Sequence, residues 1–234
     1  MNDIPQRDST SEHYRPARRT VLTGGAALVL SGCTLPPVIS SLATIVRVGA
    51  LGVADAAFTN EYVAKLPYAT ISAKIGRGQR SLLVLARRDG PDLHWISSDR
   101  AVLVTRNGRL VRALGVAGGV DLRDTAEIAA DPVASESFSF PGRWMRVVDL
   151  GQGHTYGIPI ESTFTIRGRE VTAILDHQFD TLHVTEQSDA VGMRWRFTNE
   201  FWFDFTTGFC WKSIQHFAPD VAPVAIEVLK PAIA

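Results

Sequence analysis

Ala101-Val102-Leu103-Val104-Thr105-Arg106-Asn107-Gly108-Arg109-Leu110-Val111-Arg112-Ala113-Leu114 decides the class of fold. Two apolar, β-branched runs flank Asn107-Gly108. Asn-Gly supplies the two positive-φ residues of a type I′ turn, the strongest short-range hairpin signal. Upstream, Ser81 to Ala86 reads as a strand broken by Asp89-Gly90-Pro91, and Leu93 to Ile96 reads as the next, ending at Ser97-Ser98-Asp99. Downstream, residues 115–142 carry Gly, Asp, Pro and Ser without a clear period, which predicts a long loop with broken strands. The second half returns to short strands. Tyr156 to Ile166 and Glu170 to Leu175 flank Arg167-Gly168-Arg169, a further hairpin candidate. Thr181 to Gln187 and Met193 to Thr198 follow. Glu200 to Phe205 and Phe209 to Phe217 flank Thr206-Thr207-Gly208, and Ala225 to Lys230 is the last strand. A mainly β chain with roughly ten such strands predicts an antiparallel β-sandwich or barrel-like domain. One short N-terminal helix precedes it. It lies within Val38 to Ala64, clearest from Val53 to Lys65, and stops at Leu66-Pro67 because the residue before Pro is pushed out of the helical region.

The N-terminus is of another kind. Arg18-Arg19 heads an apolar run from Val21 to Leu30, followed by Ser31-Gly32-Cys33. A charged head, a short apolar run and small residues at a cut site are the three parts of a secretory signal peptide. About ten apolar residues are too few to cross a bilayer, which takes roughly 20. Leu30-Ser31-Gly32-Cys33 also resembles the lipobox of bacterial lipoproteins, in which the Cys becomes the lipidated first residue of the mature chain. Cys33 is therefore the expected lipid-attachment residue and the membrane the expected partner of that lipid, with two or three acyl chains needed for stable anchoring. The paired arginines fit a twin-arginine export signal as well as an ordinary positive head. Thr34 stands where an Asp in such families retains the protein in the inner membrane, so the expected location is the periplasmic face of the outer membrane. The organisation read from the chain is a signal peptide over 1–32, a tether over 33–50 and one β-rich periplasmic domain over 51–234.

The chain of 234 residues carries 24 basic and 24 acidic residues. The leader holds Arg7, Arg15, Arg18 and Arg19 against Asp3, Asp8 and Glu12, so the mature part stays close to neutral. Neutrality gives no electrostatic reason to expect a nucleic-acid partner. Of the two cysteines, one is the lipid site, which leaves Cys210 without an internal disulfide partner. Set between Phe209 and Trp211, it reads as a buried thiol that behaves as a small hydrophobe.

Three groups of residues bear chemistry. Trp195, Phe197, Phe201, Trp202, Phe203, Phe205, Phe209, Trp211 and Phe217 crowd one region. Strand alternation points Trp202 away from Phe201 and Phe203. Aromatics most often fill cores. Where exposed, they stack on the apolar faces of sugar rings, so Trp202, Trp211 and Trp195, with Asp204 for the hydroxyls, are the candidate glycan contacts. The histidines of the mature chain are His94, His154, His177, His183 and His216. They form neither HExxH nor a Cys/His zinc spacing. His177 and His183 on either side of a presumed turn, near Asp176 and Asp180, come nearest to a ligand set, and no metal or cofactor is expected. Glu161, Glu170, Asp176, Glu186, Glu200 and Asp204 supply carboxylates without the spacing that names a glycosidase pair. They read as solvated strand faces, and no catalytic residue is assigned.

Several stretches in order resemble one family. They are Tyr68-Ala69; Leu82 to Ala86; Leu93 to Asp99; Val104 to Val111; Phe201-Trp202-Phe203-Asp204; Thr207-Gly208-Phe209; Trp211 to His216; and Ile226 to Pro231. The series is similar to the YjbF/GfcB group of lipoproteins, tied to exopolysaccharide and group 4 capsule production. The resemblance implies a β-rich envelope protein of Gram-negative bacteria, working beside polysaccharide export proteins or on the polysaccharide. It carries over no catalytic residues. The function this implies is a non-catalytic accessory factor in capsule assembly or export. A periplasmic polysaccharide-modifying hydrolase and a structural envelope protein with an exposed sheet edge are the alternatives.

Overall fold

Thr59 sets the first described element. In this computed structural model, which describes residues 58–116, 122–124, 130–134, 138–151 and 155–232, its backbone is extended and its Oγ1 accepts the Tyr62 N–H at 3.2 Å. That is an N-cap, and it starts helix α1 at Asn60–Lys65. The helix is shorter than the span read from Val53: Phe58 and Thr59 are not helical, and the residues before them lie outside the described ones. Leu66 is extended, as its position before Pro67 requires.

Twelve strands follow among the described residues: β1 (Thr70–Ile75), β2 (Ser81–Asp89), β3 (Asp92–Ser97), β4 (Val102–Arg106), β5 (Arg109–Leu114), β6 (Leu122–Asp124), β7 (Trp144–Leu150), β8 (Thr155–Ile174), β9 (His177–Ala190), β10 (Arg196–Asp204), β11 (Cys210–Gln215) and β12 (Val224–Lys230). Each pairs antiparallel with its neighbours in sequence, and β1 pairs with β12 from Thr70↔Lys230 to Ile75↔Val224. The sheet thus closes into an up-and-down barrel. Closure removes sheet edges.

Four local expectations are corrected. Arg167-Gly168-Arg169 is not a turn. β8 runs through it, with a register shift between Ile166 and Gly168, and Gly168 at φ +138 forms a bulge. The turn comes at Leu175–Asp176, where Ile174 faces His177. His177 and His183 consequently share β9, roughly 20 Å apart at about 3.3 Å per residue, and do not flank a turn. Met193 to Thr198 and Glu200 to Phe205 are largely one strand, β10. Within residues 115–142 the chain forms β6 and a short 3-10 helix at Pro132–Ala134. Strand β7 follows, where the sequence reading placed none. There Trp144, Arg146, Val148 and Leu150 point inward, and Arg146 masks the apolar alternation.

The interior divides in two. One core contains Ile71, Leu83, Trp95, Leu103, Leu110, Ile160, Trp195, Phe197 and Phe217. The other contains Val133, Leu182, Val184, Phe201, Phe203 and Cys210, with Phe138, Phe140 and Phe164 packed on it. The β4–β5 turn packs on Cys210 of the second core and leads into Leu110 of the first. Its Asn107 (φ +50) and Gly108 (φ +90) adopt the positive φ values that the Asn-Gly pair predicts. The turn also reaches across to β11: Gln215 Nε2 donates to the Gly108 carbonyl at 2.8 Å and Gln215 Oε1 accepts the Leu110 N–H at 2.9 Å. Gly108 packs so closely on Cys210 that a Cβ would fall inside the thiol side chain. Only glycine satisfies both the φ and the approach.

Candidate functional site

A cavity of about 480 Å³ opens at the barrel end where β1 begins and β12 finishes. Its deep wall is apolar: Ile71, Trp95, Val133, Ile226 and Cys210 line it and are all buried. Two hydroxyls lie among them with partners. Thr105 Oγ1 accepts the Trp95 indole N–H at 2.8 Å, and Ser213 Oγ accepts from Gln215 Nε2 at 2.8 Å. The rim is built from three turns, at Gly90-Pro91, Asn107-Gly108 and Thr207-Gly208, with Phe209, Trp211 and Arg88 beside them. No Asp or Glu lines this cavity among the described residues. A second cavity, of about 300 Å³, lies between Ile75, Leu83, Leu103 and Val224.

Asp204 shapes one side of the rim. Its carboxylate accepts the backbone N–H groups of Thr206 and Thr207 at 3.0 and 2.8 Å and the Trp211 indole N–H at 3.1 Å. Burial would push this acid up, but those donors outweigh it and hold Asp204 below the usual carboxylate range. Asp204 therefore stays ionised and fixes both the turn and the indole. One face of Trp211 is stacked on Phe179 at 3.9 Å between centroids, and Phe209 meets it edge-on at 4.7 Å. Trp211 falls at the register shift between β10 and β11, which is what swings it to the rim.

The other candidate glycan contacts lie elsewhere. Trp202 points away from Phe201 and Phe203, as the alternation requires. It is nearly covered, however, with the His183 ring flat on it at 4.5 Å, Glu170 accepting its indole N–H and the Lys212 ammonium 5.2 Å from its centroid. Trp195 is buried in the core and stacked on Phe197 at 4.4 Å. The fold thus brings Trp211 and Asp204 together at the cavity and keeps Trp202 and Trp195 apart from them. His154 and Cys33 lie outside the described residues.

Most carboxylates are likewise dispersed, but Glu170 and Glu200 meet at His183, whose Nδ1 lies 4.0 Å from Glu170 Oε1 and whose Nε2 lies 3.0 Å from Glu200 Oε2. Glu161 pairs with Arg143 at 3.1 Å, Asp176 accepts from Asn60 at 2.8 Å, and Glu200 meets His183 at 3.0 Å. Glu186 is the exception to the expectation of solvated acids. It is fully buried, because inward alternation along β9 places it in line with Leu182, Val184, Ser188 and Ala190. Its Oε2 accepts from Arg109 Nη1 and Asn199 Nδ2, each at 2.9 Å. Arg109, also fully buried, pairs with Asp131 as well, and its guanidinium sits 4.7 Å from the Trp144 ring and 5.5 Å from that of Phe201. Burial would raise the Glu186 pKa, but Arg109 and then Arg146 outweigh it and hold the acid at about 2. Burial alone would lower Arg109, yet Asp131 and Glu186 keep the cation above its ordinary range. The sequence reading missed this pair; the signal lay in the position of Glu186 in the inward series. Cys210 is buried as expected, with its thiol pushed up by burial to about 12, which makes it a poor nucleophile.

The chain matches the family model described as group 4 capsule polysaccharide lipoprotein gfcB, YjbF, over residues 34–229. It is 28% identical over 208 residues to the uncharacterized lipoprotein GfcB of Escherichia coli (strain K12), covering 88% of this chain and 95% of that one. It is 26% identical over 176 residues to the uncharacterized lipoprotein YjbF of the same organism, covering 74% and 81%. Among solved structures, the hypothetical lipoprotein YmcC from Escherichia coli (K12) superposes with a TM-score of 0.70 at 26% identity, over 87% of this chain and 100% of that one.

Proposed function

Because the chain belongs to the YjbF family of group 4 capsule polysaccharide lipoproteins, we propose that it is an accessory factor in capsule or exopolysaccharide assembly or export, held by lipid at Cys33 on the periplasmic face of the outer membrane. The observation that carries the non-catalytic reading is the composition of the open cavity. Buried apolar residues line its wall beside Thr105 and Ser213, Phe209 and Trp211 stand at its rim with Asn107, Thr207, Arg88 and Lys212, and no carboxylate lines it among the described residues. Glycoside hydrolysis needs two carboxylates roughly 5–10 Å apart across the scissile bond; Glu161, Asp176 and Asp204 are engaged apart from one another, and Glu170 and Glu200, which meet at His183, lie outside the cavity lining. The closed sheet argues against the third reading, in which a free edge recruits another strand. Contact with glycan is assigned to the rim, with Trp211 presented by Asp204.

The test is gene deletion with polysaccharide weighed separately in the medium, on the surface and in the periplasm, then complementation with wild type and with Cys33→Ala. Periplasmic accumulation rescued only by the lipidated protein is the expected result. Unchanged amount, size and location of the polysaccharide would overturn the reading. Normal export with longer or differently decorated chains would point to an enzyme.

A further inference from the structure

We propose that the edge of β8 from Thr165 to Thr172 pairs antiparallel with the same edge of a second copy of this chain. β8 outruns β7. Its pairing with β7 ends at Trp144↔Ser162, whereas its pairing with β9 runs on to Ile174↔His177. Closure therefore stops at Ser162 on this side, and beyond it the other edge of β8 meets no strand among the described residues. Every residue from Thr165 to Val171 is exposed. An open row of backbone amides and carbonyls is a template for a further strand. Two apolar side chains stand along it: Ile166 is 50% exposed and Val171 65%.

The bulge at Gly168 decides which strand fits. In a regular strand Ile166 and Val171, an odd number of steps apart, would take opposite faces. The register shift between Ile166 and Gly168 removes one step. Ile166 is opposite Val184 and Val171 opposite Asp180, both on the face of β9 that carries Leu182 and Glu186. The two apolar residues consequently share one face. Thr165, opposite Thr185, and Thr172, opposite Phe179, share the other. With Arg167-Gly168 counted as one bulged position, a two-fold axis at Arg169 sets Ile166 against Val171 of the copy, Thr165 against Thr172, and the bulge against Glu170. Each pair is same-face, as direct opposition across a sheet demands, and a slip of one residue would set apolar faces against polar ones. Charge agrees with this register, because Arg167 comes beside Glu170 of the copy. The Nε of Arg167 donates to Thr185 Oγ1 at 3.1 Å, and no carboxylate pairs with it among the described residues. The two Arg169 side chains on the axis are each neutralised by their own Asp180, with Nε donating to Oδ1 at 2.6 Å. Such a contact is isologous, so it uses up the edge of both copies and builds no open array. The closed sheet therefore still argues against a strand-recruiting scaffold, and the pairing depends on neither lipid nor glycan.

The test is analytical ultracentrifugation of the full chain carrying Cys33→Ala. A short edge contact predicts a reversible equilibrium between 25.5 kDa and twice that mass, with a dissociation constant on the order of 10 μM. Ile166→Lys or Val171→Glu alone should weaken the dimer at least about tenfold, because each dimer then sets two charges against apolar partners. Mixing the two variants should restore it, since the new ammonium and carboxylate face each other across the contact. Both positions are at least half exposed, so far-ultraviolet spectra should not change; if one variant fails to fold, the other carries the comparison. Cross-linking reads the register, with Cys210 buried and out of reach. Ile166→Cys mixed with Val171→Cys should link on oxidation while neither links to itself, and Arg169→Cys, on the axis, should link to its own copy. A monomer at every concentration up to about 1 mM, a dimer indifferent to both charge variants, or Ile166→Cys and Val171→Cys each linking to itself but not to the other would overturn the proposal. None of these outcomes touches the capsule role, which the deletion phenotype decides separately.

Discussion

Replacing Glu186 by Gln tests whether a charge pair inside the barrel stabilises the fold or merely occupies it. The Glu186 carboxyl falls from an ordinary 4.5 to about 2 in the folded chain, against the push of burial, because Arg109 and Arg146 act on it. At about 1.4 kcal/mol per tenfold change in acid constant, that corresponds to about 3 kcal/mol. The sign follows from the direction. A carboxyl depressed on folding contributes this stability in full above pH 4.5 and loses it as pH falls towards 2. Gln keeps the shape and the contact with Asn199 but removes the anion, leaving Arg109 in a fully buried site with Asp131 alone. Breaking one partner of a buried pair costs about 3–5 kcal/mol, in accord with the linkage figure. Urea unfolding followed by tryptophan fluorescence at pH 7 and at steps down to pH 2 should show Glu186→Gln less stable by about 3 kcal/mol at neutral pH, with the gap to wild type closing across the acid range. A gap under about 0.5 kcal/mol at pH 7, or one that stays constant to pH 2, would refute the reasoning. The double change Arg109→Met with Glu186→Met should recover most of the loss, since apolar isosteres of a buried pair are often neutral or stabilising.

Gly108→Ala should cost at least about 2 kcal/mol of unfolding free energy, read as a lowered urea midpoint. It combines a positive φ with overpacking on Cys210, and Asn107→Ala should cost less. The Cys210 thiol should resist a disulfide reagent at pH 8 in the native protein and react on adding denaturant, since burial holds it near 12; rapid native labelling would contradict the burial. Asp204→Ala should lower stability by about 1–3 kcal/mol and shift tryptophan emission, because two turn amides and the Trp211 indole lose a charged acceptor. An unchanged spectrum would mean that Trp211 is held by its ring contacts with Phe179 and Phe209.

Cys33 and the short apolar run before it carry the expectation of an exported lipoprotein through local chemistry that no fold is needed to read. Asn107-Gly108, Thr206-Thr207-Gly208 and the stop at Leu66-Pro67 are equally local, and the turns and helix end fall where those residues put them. Alternation along β10 separated Trp202 from Phe201 and Phe203. Local reading failed where two local forces conflicted. Gly168 signals a turn in isolation, but continuous pairing of β8 with β9 turned it into a bulge.

Sequence alone therefore determined the β class, the principal turns and the expected anchoring residue, because each depends on neighbours within a few positions. Tertiary structure alone decided that β1 meets β12 and the sheet closes, that the β4–β5 turn crosses to Gln215 and Cys210, and that Arg109 and Glu186 meet in the interior. Those contacts join residues 77 to more than 100 positions apart, and periodicity along a strand reports which face a residue takes but not what waits across the barrel. The cavity belongs to the second class for the same reason: its wall exists only where β1, β3, β11 and β12 curve round one space.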